Sequence, residues 1–113
     1  MKKIFICVIA ISCLIQPSFG YSKKDYKRAI STNVCRNCDL SKLNLTGGRF
    51  AGADFSGSDF SYTNFTKANL RKANMTGAKI TGANFYRTKL GNTIWIDGKV
   101  CSKTAVGRCA DKR

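Results

Sequence analysis

The chain has 113 residues, enough for one small domain, and sets 20 Lys and Arg against 6 acidic residues with no Glu and no His. A formal charge of +14 predicts attraction to polyanions, or else a surface that charge merely keeps soluble. Without His and Glu the commonest general acids and bases are missing, and no nucleophile elbow or phosphate loop occurs, so the composition argues against an enzyme.

Residues 1–20 run from Lys2 and Lys3 through an apolar stretch, Ile4 to Ile15, to Pro17, Ser18 and Gly20. That order is the pattern of a secretory signal peptide cut after Gly20, and the stretch is shorter than the ~20 residues a membrane span needs. Cys13 raises the question of a lipoprotein, but Ala10-Ile11-Ser12 makes a poor lipobox. Cleavage would remove Lys2 and Lys3 and leave 18 basic against 6 acidic residues, in the periplasm or outside the cell. Residues 21–33 then predict a short helix. Ser22 can cap it, Asp25 stands as the acid of a capping box, and Tyr26, Ala29 and Ile30 share one face.

From Cys38 to about Asp97 the sequence repeats every five residues, in twelve units. The third position is large and apolar: Leu40, Leu45, Phe50, Phe55, Phe60, Phe65, Leu70, Met75, Ile80, Phe85, Leu90 and Trp95. The first is mostly small and the second mostly Asn or Asp. A period of five suits neither a helix nor a half-buried strand. It suits a chain that turns a corner every five residues, so that four sides close a square coil stacked at ~4.8 Å. Units such as Ala53-Asp54-Phe55 and Ala68-Asn69-Leu70 resemble the pentapeptide-repeat family. The resemblance implies an all-β fold, a right-handed quadrilateral β-helix of about three coils. The helix before it would be an N-terminal capping helix, with Tyr26 and Ile30 over the first coil, because a solenoid end exposes apolar rungs. The expected organisation is 1–20 leader, 21–37 capping helix and Cys-containing lead-in, 38–97 β-helix, and 98–113 disulfide-closed cap and tail.

Cys35-x-x-Cys38 lacks the βαβ context of a redox pair. Zinc would have to join it to Cys101 and Cys109 across roughly 10–15 Å of stack, at ~4.8 Å per coil, against Zn–S bonds of ~2.3 Å. Disulfides are the default in an exported protein, and only Cys35–Cys38 with Cys101–Cys109 keeps each bridge at one end. No metal or cofactor is expected. The ending Trp95-Ile96-Asp97-Gly98…Cys101…Gly107-Arg108-Cys109 also looks like the ends of exported bacterial pentapeptide-repeat proteins, with Trp95 over the last rung and Asp97-Gly98 as a turn.

A strict twenty-residue coil sorts the units onto four faces. Units at 38, 58 and 78 form face one, and units at 43, 63 and 83 face two. Units at 48, 68 and 88 form face three, and units at 53, 73 and 93 face four. Arg49, Lys67, Arg71, Lys72, Arg87 and Lys89 then fall on faces two and three as one basic strip, while face one carries Lys42 and Lys79 beside Asp39 and Asp59, and face four carries Asp54 and Asp97. The leading expectation is a non-enzymatic binding module whose strip meets an anionic surface (lipid head groups or polysaccharide) or an acidic protein. The alternative is a structural scaffold that presents flat sides to a protein partner. Family members that protect DNA gyrase imitate the negative charge of DNA, so this chain's sign and export disfavour that role. Export and the few exposed aromatics, such as Tyr62 and Tyr86, also disfavour nucleic acid. Capped ends point to a monomer.

Overall fold

The structure, a computed structural model, describes residues 20–110. The leader expected over residues 1–20 lies outside them except for Gly20, as does the tail from Asp111 to Arg113.

Each five-residue unit makes one side of a square coil through local bonding. The Asn or Asp in second position turns its side-chain oxygen onto the residue two ahead: Asn64 Oδ1 accepts from the Thr66 amide at 2.9 Å, and Asp59 Oδ1 accepts from the Ser61 amide and hydroxyl at 2.9 and 2.6 Å. The fifth position turns the corner in the left-handed region. Asn37, Lys42, Tyr62, Lys67, Lys72, Arg87 and Asn92 have φ of 54° to 62°, and five glycines occupy the other corners. A turn bond then joins the next unit to the bulky residue, as in Ala68 N–H to Phe65 O at 2.9 Å.

The coils stack in parallel ladders one residue wide on each side, and every parallel bridge joins residues twenty apart, from Val34–Asp54 to Asn74–Ile94. The register therefore carries no bulge. The ladder also takes in one unit before Cys38, the expected start of the β-helix. Cys35 stands in that unit's inward position, fully buried, with its N–H on the Asp54 carbonyl at 2.8 Å. The unit is hard to read from sequence because its bulky position holds a cysteine.

Inside, the third-position side chains fill the coil. Phe50, Phe55, Phe60 and Phe65 meet edge to face with centroids 4.9 to 5.3 Å apart, and Phe85 stacks on Phe65 at 5.2 Å. Each such pair contributes about 0.5–1.5 kcal/mol beyond the area it buries. First-position residues are small because they sit against these rings. Where they carry hydroxyls, the hydroxyl donates to a carbonyl one coil earlier: Thr63 to Leu40 O at 2.5 Å, Thr88 to Phe65 O and Thr93 to Leu70 O at 2.6 Å. Ser58 does more. Its hydroxyl donates to Cys35 O at 2.6 Å and accepts from Cys38 N–H at 3.1 Å, tying both cysteines of the first disulfide to the next coil.

Helix α1, Lys23–Thr32, precedes the ladder. Ser22 caps it by accepting from Asp25 N–H at 3.3 Å, but Asp25 does not complete a capping box. Its carboxylate reaches the Asp39 amide at 2.9 Å and Arg28 at 2.9 Å, while the Ser22 amide donates to Asp39 O. Asp25 thus fills the edge position that a preceding coil would occupy. Ala29 is buried and Tyr26 half-buried against the core, whereas Ile30 stays half-exposed.

At the other end the chain reverses at Asp97-Gly98 and runs back antiparallel along the last coil, with bridges Lys89–Val106 and Ile94–Val100. This return satisfies faces three and four: Leu90 N–H meets Ala105 O, Trp95 N–H meets Lys99 O, and Thr88 O accepts from Gly107 N–H, all at 2.7 to 2.9 Å. Faces one and two receive no such strand. Among the described residues, the amides of Ile80, Gly82, Phe85 and Arg87 have no hydrogen-bond partner, and Ile80, Phe85 and Trp95 are only half-buried. Trp95 meets Phe85 edge-on at 5.2 Å and so covers only part of the last rung.

Candidate binding face

The strip residues are exposed, and the coil brings them to one side. Arg49, Asn69 and Lys89 form a single ladder on face three. Arg71 stands on the same face beside Gly91. Lys67, whose N–H bonds Tyr86 O at 2.9 Å, and Arg87 turn the corner from face two, and Lys72 turns the corner toward face four. The flat of face two is instead an uncharged ladder of Asn44, Asn64 and Asn84. The strip is therefore face three with its two corners rather than two full faces, because fifth-position residues sit at the corners.

No acid belongs to the units of faces two and three. The described acids are spent elsewhere. Arg36, from the early unit on face four, pairs with Asp54 at 2.6 Å, and this hydrogen bond holds the Asp54 carboxyl below its ordinary range. Burial pushes Asp59 up, but bonds from the Ser61 hydroxyl and amide, with Lys79 nearby, hold it below the usual value. Asp25 is lowered chiefly by the Asp39 amide. Among the described residues the ion pairs are Arg28–Asp25 and Arg36–Asp54, so each strip cation is unpaired.

The family model for pentapeptide repeats matches in eight copies over residues 34–71 and 58–94, more than half of the chain. The chain belongs to the pentapeptide-repeat family. Its twenty-residue parallel coil is accordingly the family's right-handed β-helix. Among solved structures it is similar to HetL, a pentapeptide repeat protein involved in heterocyst differentiation regulation from the cyanobacterium Nostoc sp. strain PCC 7120. Identity is 32%, over 59% of this chain and 34% of HetL, with a TM-score of 0.36. The chain thus spans about a third of that relative's length. No curated protein matches it.

Both disulfides of this pentapeptide-repeat chain join near neighbours, Cys35–Cys38 with Cα atoms 5.6 Å apart and Cys101–Cys109 at 4.9 Å. Asp25, Cys35 and Cys38 bring three potential metal ligands within 4.8 Å of one another. The two sulfurs are bonded to each other, and the carboxylate is taken by Asp39 and Arg28, so the donors are already spent. A further cation, Lys103, lies outside the twelve five-residue units. The C-terminal return carries it to face three, where its backbone passes Gly91 and Arg71. The turn at Asp97-Gly98 followed by a disulfide back to Cys101 was the signal for such a return.

Proposed function

We propose that this pentapeptide-repeat protein is a non-enzymatic, exported binding module whose face three engages a polyanionic surface. The observation that carries the reading is where the cations sit. Lys67, Lys72 and Arg87 occupy left-handed corners that Gly fills elsewhere in the same coil. Lys42 and Tyr62 share that conformation off the strip, so what sets face three apart is that its flat and both its corners carry cations while its units hold no acid. The unpaired ladder cations Arg49 and Lys89, with Arg71, lie between them. Export is supported by the leader pattern of residues 1–20 and by the two disulfides, which suit an oxidising compartment. Helix α1 serves as the N-terminal cap through Asp25, and about three coils carry the face.

The test is binding to vesicles containing anionic phospholipid across a salt series, with the triple reversal Arg49→Glu, Arg71→Glu, Lys89→Glu as control. Salt-sensitive binding that the triple variant loses supports the face. A second reading rests on face two, whose neutral Asn ladder runs beside Tyr62 and Tyr86, each more than 60% exposed. In that reading the coil is a scaffold and face two meets a protein. It predicts that charge reversal on face three changes partner binding little.

A further inference from the structure

The C-terminal return pairs along the edge of the last coil and leaves beside it, on face three, a concavity of about 280 Å³ lined by Arg71, Lys72, Gly91, Asn92, Lys103 and Thr104. Three of these six residues are cationic and none is acidic. Arg71 and Lys72 come from the middle coil, and Lys103 comes from the returning segment, just past Cys101. None of the three takes part in an ion pair among the described residues.

Gly91 makes this convergence possible. A Cβ on it would lie 2.4 Å from the Lys103 carbonyl oxygen and 3.2 Å from Arg71 Nε, so any side chain here would push the return away from the coil. The Cys101–Cys109 bridge and the Leu90–Ala105 bond at 2.9 Å fasten the return on either side of Lys103. Lys72 is held at its own left-handed corner, with φ of 62°.

We propose that this concavity is an oxyanion site for the dianionic phosphate of a phosphomonoester. The guanidinium supplies a planar fork and the two ammonium groups supply compact charges, a donor set suited to a tetrahedral phosphate. Three unopposed cations favour a dianion over a monoanion, because the attraction scales with ligand charge. The volume exceeds that of a bare phosphate and opens to solvent, which leaves room for an organic remainder outside. The site rests on the reading of face three as the anion-binding face, and it gives that face a point of specificity.

The test is titration of the oxidised protein with phenyl phosphate and, as a monoanion of the same shape, phenyl sulfate, followed by amide NMR shifts. Phenyl phosphate should shift Gly91, Asn92, Lys103 and Thr104, and bind more tightly at pH 7.5 than at pH 5, because its second ionisation lies at about pH 6. Phenyl sulfate should bind more weakly and without that pH dependence. Lys103→Gln should weaken phenyl phosphate about five- to tenfold, the loss of one of three charged contacts. Lys103 lies outside the triple reversal, so the two readings separate. Vesicle binding retained beside shifts spread over the whole of face three, with no preference for the dianion and no effect of Lys103→Gln, would overturn the site and leave the face intact. Localised shifts without vesicle binding would support the pocket and sink the polyanion-surface reading.

Discussion

At the residue scale, the corners set stability against charge. Lys67, Lys72 and Arg87 adopt backbone angles that glycine takes at other corners of the same coil. Replacing any of them with Gly should be neutral to stabilising by up to about 1 kcal/mol, since relief of the left-handed strain exceeds the added chain entropy. Urea melts of the three single variants check this, and loss of more than about 1 kcal/mol in all three would show that the side chains serve the fold. Ser58 behaves in the opposite sense. Ser58→Ala strands the Cys38 amide and the Cys35 carbonyl in a buried place, and should cost about 1–3 kcal/mol by the same measurement. The large, small and Asn/Asp positions were readable because each serves a contact repeated in every unit. Ser58 was not: its donation to a carbonyl 23 residues back is shared with Thr63, Thr88 and Thr93, but its acceptance from the Cys38 amide, twenty residues back, is its own.

At the scale of the element, both ends of the stack use devices that a repeat cannot announce. The span of α1 and its Ser22 cap follow from local sequence, but Asp25 answers to Asp39 fourteen residues on. Its lowered pKa, with those of Asp54 and Asp59, fixes a sign. Each carboxyl has a folded pKa below its unfolded value, so its contribution is complete above the ordinary carboxylate range, near pH 4, and is lost as pH falls through the folded pKa. The urea midpoint should therefore drop between pH 5 and pH 2.5, and Asp25→Ala should remove part of that dependence. An unchanged dependence in Asp25→Ala would mean that its tie to Asp39 contributes nothing to stability. At the far end, the return strand divides the last coil. The amides of Leu90 and Trp95 should resist hydrogen exchange, while those of Ile80, Gly82, Phe85 and Arg87 should exchange freely. Reducing Cys101–Cys109 should expose the Leu90 amide and leave the central coil, including Phe60 and Phe65, protected. The sequence showed a turn and a disulfide there, but the antiparallel pairing depends on an edge that only the finished stack presents.

At the scale of the whole molecule, the fold converts a sequence period into a sorted surface. Because every parallel bridge spans twenty residues, charges scattered along the chain fall onto set sides: Asp39 and Asp59 on one face, Arg49 and Lys89 on another. That sorting was legible once the period was seen, since it needs only the repeat length. The placement of Lys103 and of Arg36 was not, because both lie outside the twelve regular units and are positioned by the ends. If face three binds anionic surfaces as proposed, vesicle binding by the oxidised protein and by Arg49→Glu, Arg71→Glu, Lys89→Glu reads it without an intermediary. Binding should weaken steadily with salt and fall on the order of a hundredfold in the triple variant, at about 1 kcal/mol for each basic residue removed from an anionic surface. Equal binding by the triple variant and the parent across the same salt series would contradict it.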